Sequence, residues 1–155
     1  MIKVRRIMAP TDFSEPSVEA LGVAAEVAEQ FEAELLLVHV LTPPPKRSEW
    51  ADASKWTVPL SVQHDKESAE EALQELVDRR VSDAVQCRLI VEIGDLPDSL
   101  LDAAEREKVD LLVIATHGRT GWRRLVFGSV SEPVIRDAHC PVLTIHASRK
   151  SGARA

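Results

Sequence analysis

Leu111-Leu-Val-Ile-Ala-Thr-His-Gly-Arg-Thr-Gly121, followed after six residues by Gly128-Ser-Val-Ser131, runs an apolar strand into a glycine-rich loop and then into a helix. The continuous apolar run Leu111 to Ala115 reads as a strand covered on both faces. Ser129, Glu132 and the periodic Val134, Ile135 and Ala138 read as the opening of the helix. Between them Gly118, Gly121 and Gly128 fall within eleven residues. Two physical reasons place glycine there: a tight turn with positive φ, or a backbone that must come so close to phosphate that a side chain would strike it. The N–H groups and dipole of a helix start favour negative charge, which makes the loop a candidate phosphate cradle. Ser129-Val-Ser-Glu132 is equally a capping box, with Ser129 as cap and Glu132 returning the bond, and that explains the spacing without a ligand.

Outward from this stretch the pattern alternates strand and helix. Strands are expected at Val4 to Ala9, Glu34 to Val40, Gln86 to Ile93, Leu111 to Ala115 and Pro141 to His146. Ala20, Ala24, Val27, Ala28 and Phe31 share one face of a first helix, and Ala69, Ala72, Leu73, Leu76 and Val77 share one face of a second. Pro97 suits the first turn of a third, whose Leu100, Leu101 and Ala104 point inward. Arg88 and Glu92 break the third strand, and Thr144 and His146 the fifth, so these two read as edges while the second and fourth read as central. With right-handed crossovers this gives an α/β fold, an open doubly wound five-stranded parallel sheet of order 3-2-1-4-5 with helices on both faces. Leu41 to Gln63 reads as the main irregular insertion, stiff at Pro43-Pro-Pro45, with Trp50 and Trp56 available to pack back on the domain.

The 155 residues suit one well-buried core, a single domain over 1–147 with a disordered tail at 148–155. A composition 45% hydrophobic and 28% charged is that of a soluble globular chain. No apolar run approaches the roughly 20 residues of a membrane helix. Met1 to Met8 lacks the apolar core of a secretory signal, so a cytoplasmic location is expected. Cys87 and Cys140 have no metal-ligand spacing and read as buried reduced thiols. A net charge of −6 argues against a general nucleic-acid binder.

A doubly wound sheet gathers ligands outside its C-terminal strand ends, which directs attention to Pro10 to Ser14 and Thr116 to Phe127. The Asp12 carboxylate could accept from a ribose hydroxyl or base amino group, or could close an Asx turn leading to a helix capped by Ser14. Arg119, Arg123 and Arg124 concentrate positive charge beside the glycines; Arg123 and Arg124 also fit a solvated loop anchored by Trp122. His117 fits a loop-shaping role, because no nucleophile signature accompanies it. The chain contains neither a Gly-x-x-x-x-Gly-Lys-Ser/Thr loop nor, after its first strand, a Gly-x-Gly-x-x-Gly. The acidic cluster of a phosphoacceptor domain is also missing: Asp12 has no adjacent carboxylate, and no lysine closes strand five.

Gly118, the nine residues Arg119 to Phe127, Gly128-Ser129 and the following Val130, Ser131 and Glu132 resemble the universal stress protein family, as does Pro10-Thr-Asp-Phe-Ser14. Nucleotide-binding members of that family carry Gly-x-x-Gly, nine residues, then Gly-Ser or Gly-Thr after the fourth strand. Ala115 stands where the first glycine would be, and its methyl group is expected to reduce binding without abolishing it. The resemblance implies ATP as ligand, with Mg²⁺ assisting the phosphates. It places contacts at Pro10, Thr11 and Asp12, at the backbone of Val40, at Ala115, Thr116, His117, Gly118, Arg119, Thr120 and Gly121, and at Gly128, Ser129, Val130 and Ser131. No catalytic residue and no metal ligand from the protein is implied. A homodimer paired antiparallel through Val142, Leu143, Thr144 and Ile145 is also implied, with no nucleic-acid or membrane partner. The expected function is a cytoplasmic regulator that couples ATP occupancy to dimer or partner interactions. The alternatives are a weak ATPase and a nucleotide-free stress or interaction protein of the same fold.

Overall fold

In the computed structural model, which describes residues 3–42, 60–116 and 130–146, the Leu111–Ala115 run is one of five strands in a single parallel sheet. In chain order the elements are β1 (Arg6–Pro10), α1 (Glu15–Phe31), β2 (Glu34–Leu41), α2 (Leu60–Arg80), β3 (Cys87–Ile93), α3 (Leu96–Arg106), β4 (Leu111–Ala115), α4 (Ser131–Asp137) and β5 (Val142–Ile145). The strand order is β3-β2-β1-β4-β5, as expected from the two continuously apolar strands and the two interrupted ones.

Alternation along the strands sorts the core into two layers. Ile7, Ala9, Leu35, Leu37 and Val113 point to one face and pack with Leu21, Ala24 and Ala28 of α1 and Leu73 of α2. Met8, Leu36, Val38, Leu112 and Ile114 point to the other and pack with Leu100 and Ala103 of α3 and Val134 of α4. Ser14 caps α1, its hydroxyl accepting from Ser17 N–H, and Pro16 sits in the first turn, where no intrahelical N–H bond is lost.

Several boundaries move. β1 starts at Arg6 rather than Val4 and runs on to Pro10, and β2 includes Leu41. α2 begins at Leu60, so the expected insertion to Gln63 is too long by several residues; Trp50 and Trp56 lie outside the described residues. β5 shrinks to Val142–Ile145, losing Pro141 and His146 at its ends. α4 starts at Ser131 with Val130 as its flanking residue and no side-chain cap, one position beyond the register of the expected capping box. Phe31, expected on the buried stripe of α1, is 51% exposed. It lies in the last turn beside the left-handed Glu32, where the helix ends and the chain turns back toward β2, so periodicity fixed its face but not its cover.

Arg88 and Glu92, which mark β3 as an edge, are tied to other elements. Arg88 binds Glu34 at 3.1 Å and Glu107 at 2.6 Å; Glu34 binds Arg6 at 3.3 Å, and Arg106 pairs with both Glu92 and Glu107. The Arg6 guanidinium also donates to the Glu107 carbonyl at 2.8 Å, and Asp110 accepts from the backbone N–H of Arg5 and Arg6. This web joins the starts of β1 and β2 and, through Arg88 and Glu92, both ends of β3 to the end of α3. Both cysteines are free and half-buried; desolvation, with Glu34 nearby, pushes the Cys87 thiol up to about 11.

Candidate functional site

The strands part where the two halves of the fold diverge. Between β1 and β4 the register covers Ile7↔Leu111 and Met8↔Leu112, whereas β1 stays paired with β2 as far as Pro10↔Val38 and β4 with β5 as far as Ala115↔Ile145. The C-terminal ends of β1 and β4 therefore separate at the topological switch point, the place where open α/β sheets take ligands.

From β1 the loop 11–14 is held by its own side chains. Thr11 N–H donates to Val38 O at 2.8 Å, the last rung with β2. The buried Thr11 hydroxyl accepts from Phe13 N–H at 3.0 Å and lies 2.9 Å from the Ser17 hydroxyl. Asp12 Oδ1 accepts from Ser14 N–H at 3.0 Å and from the Ser14 hydroxyl, so the Asx turn is present in the fold. Phe13 adopts φ 64°, a left-handed conformation uncommon for an aromatic residue.

β2 contributes Val40, 7% exposed at the sheet end. Even-numbered β2 residues turn their backbone groups toward β1, as Glu34 N–H to Arg5 O and the Val38 carbonyl demonstrate, while Leu35 N–H turns toward β3. The Val40 N–H is thus directed to the β1 side just past the final rung. On the other half, Ala115 pairs with Ile145, and the fully buried Thr116 donates its N–H to Ile145 O at 3.1 Å. Its hydroxyl lies 3.0 Å from His146 Nδ1. The buried Ser131 hydroxyl donates to Ala115 O across a long 3.5 Å, and Val130 flanks the start of α4.

Pro10, Thr11, Asp12, Val40, Ala115 and Thr116 thus stand at strand ends or directly beyond them, on the two sides of the parting, while Val130 and Ser131 stand at the start of α4, tied to the end of β4 through the Ser131 hydroxyl. His117, Gly118, Arg119, Thr120, Gly121, Gly128 and Ser129 lie outside the described residues, as do Trp122, Arg123 and Arg124. Among the described residues no group of three or more His, Cys, Asp or Glu side chains could hold a metal ion. A recess of about 160 Å³ bordered by Leu101, Lys108, His139 and Cys140 belongs to the far end of the molecule, where α3 ends and β5 begins. Sequence reasoning used His146 only as a mark of an edge strand and gave neither it nor His39 a role at the site. Each binds a residue about thirty positions away, and nothing local signals such a pairing.

Fold and switch point together define a doubly wound α/β protein in which β1 and β4 part at their C-terminal ends, with the loops after them as the candidate ligand-binding end. The chain belongs to the universal stress protein family, whose sequence model matches residues 3–146. It is 34% identical over 146 residues to a universal stress protein of Methanocaldococcus jannaschii, covering 94% of this chain and 84% of that one. A universal stress protein of Archaeoglobus fulgidus in complex with dAMP is similar at TM-score 0.65 and 22% identity, over 94% of this chain and 99% of that chain. Another universal stress protein, in complex with cAMP, is similar at TM-score 0.65 and 23% identity over the same shares.

Proposed function

We propose that this protein binds an adenine nucleotide, ATP with Mg²⁺, at the switch point, and that occupancy alters its association with a second copy or another protein. The observation that carries this reading is the parting of β1 and β4 beyond Met8↔Leu112, flanked by Asp12 and the Val40 N–H on one side and by Ala115 and Thr116 on the other. The Asp12 carboxylate and Val40 backbone suit the nucleoside, since a carboxylate accepts from ribose hydroxyls and a backbone N–H donates to a ring nitrogen. The segment from His117 to Ser131 is assigned the phosphates, its glycines leaving room and its hydroxyls and N–H groups donating. Mg²⁺ in this assignment rides on the phosphates, with water completing its shell. The dAMP and cAMP complexes of the two similar structures support an adenine ligand. Self-association is assigned to β5, an edge strand on which Leu143 is 37% exposed.

A second reading, a nucleotide-free interaction protein of the same fold, is favoured by the hydrogen bonds already made within the chain by Asp12 Oδ1 and by the Ser131 hydroxyl. Calorimetric titration of nucleotide-stripped protein with ATP, ADP and AMP separates the two. The nucleotide reading expects saturable binding in wild type and sharply weaker ATP binding in Gly118→Val, Gly128→Val and Asp12→Ala, with circular dichroism spectra unchanged. Natively folded protein that binds none of the three nucleotides leaves the interaction protein as the function. Slow or absent phosphate release is expected throughout.

A further inference from the structure

We infer that His39 is a positioning residue for the nucleotide site, gripping the β1–α1 loop on either side of Asp12; the inference rests on the nucleotide reading above. His39 Nδ1 lies 2.8 Å from Thr11 O. A carbonyl can only accept, so the ring must carry its proton on Nδ1. Thr11 O belongs to the peptide that leads into Asp12, and fixing that carbonyl fixes the plane from which the Asp12 side chain departs. On the other side of Asp12, the Phe13 ring packs on the imidazole with centroids 4.6 Å apart and planes tilted by 47°. Phe13 is the residue held at φ 64°. A left-handed conformation at an aromatic residue is disfavoured and persists only where the surroundings over-determine it. Here the Thr11 hydroxyl holds the Phe13 N–H and the imidazole holds the ring.

The same hydrogen bond bears on Val40. A parallel ladder continued by one rung would send the Val40 N–H to Thr11 O, but the β1–β2 register ends at Pro10↔Val38. His39, the residue directly before Val40, supplies the donor for Thr11 O and leaves the Val40 N–H directed past the ladder's end, toward the assigned base position. One side chain thereby sets the direction of Asp12 and keeps the loop from closing over Val40. The aspartate and the backbone donor are presented together because both are referred to the same imidazole.

The test is a double-mutant cycle read by calorimetry with Mg-ATP. His39→Phe keeps an aromatic ring against Phe13 and removes the donor; His39→Asn supplies an amide N–H close to the position of Nδ1. Loss of this partly buried hydrogen bond predicts about tenfold weaker ATP binding in His39→Phe. His39→Asn is expected to recover most of that loss. In an Asp12→Ala background His39→Phe should cost about threefold rather than about tenfold, because one of the two groups it positions is gone while the Val40 N–H remains. Wild-type affinity in His39→Phe, or the same fold loss in both backgrounds, overturns the inference. Nitrogen NMR of the wild-type imidazole gives a check that no variant's folding can disturb. The Nδ1–H tautomer is expected, and the Nε2–H tautomer contradicts the assignment. Wild-type protein that binds no ATP removes the nucleotide reading and this inference with it, whereas a bound wild type with an indifferent His39 removes the inference alone.

Discussion

Ala115, placed by the proposed nucleotide reading where a motif glycine would stand, keeps its place in the sheet, paired with Ile145 and accepting the Ser131 hydroxyl through its carbonyl. A methyl group there restricts the turn and crowds whatever approaches the backbone. Ala115→Gly should therefore bind ATP as well as or more tightly than wild type by calorimetry; weaker binding would mean that the methyl stiffens the loop to advantage. Asp12 and Ser14 illustrate how much one residue's role is legible locally. An Asx turn spans two positions and an N-cap three, so both were readable from Pro10-Thr-Asp-Phe-Ser14 alone, and both are present. His39 was not readable, because its partner is 28 positions away.

Among the elements, α1 depends on Ser14 at its start, where the hydroxyl accepts from Ser17 N–H at 3.4 Å and donates to Asp12. Ser14→Ala should cost about 1 kcal/mol in urea unfolding, the usual range for a lost N-cap, and the same change should loosen Asp12 and weaken ATP binding. β5 is the other element with a distinct task. Among the described residues β4 pairs with one edge of β5, and the proposed self-association uses the other, so on that proposal Leu143→Pro, which removes a ladder donor, should shift light scattering across a concentration series from dimer toward monomer. A wild type that stays monomeric at every concentration would exclude assembly through this strand. The strands were legible as elements because apolar runs and their interruptions report cover on each face. Their ends were not, since Pro141 and His146 are set by where neighbouring strands stop. The exposure of Phe31 and the late start of α4 likewise depend on tertiary surroundings that periodicity does not encode.

At the scale of the whole molecule the two ends of the sheet are built differently. The strand order could be read from Arg88 and Glu92 as interruptions, but their partners could not, for Arg88 reaches Glu34 across 54 positions and Glu107 across 19. Hydrogen bonding to Arg88, with Arg106 adding to it, holds the Glu107 carboxyl below its ordinary value. A depressed carboxylate adds stability that is fully present above its unfolded value, near 4.5, and is lost as pH falls through the lower folded value. Glu107→Gln should thus lower the unfolding midpoint at pH 7 by the full but small contribution of the network, about 1 kcal/mol or less for each solvent-screened pair, and its midpoint should converge on that of wild type as pH falls below about 4.5, so that its acid limb is flatter. At the opposite end, β1 and β4 separate after Met8↔Leu112. A sheet riveted at its base and split at its tip should breathe from the tip. Deuterium uptake should then begin in peptides spanning 9–14 and 113–116 and reach those spanning 5–8 and 34–37 last. Whatever occupies the split would slow that first phase alone, so the kinetics of exchange would report occupancy without any label on the occupant.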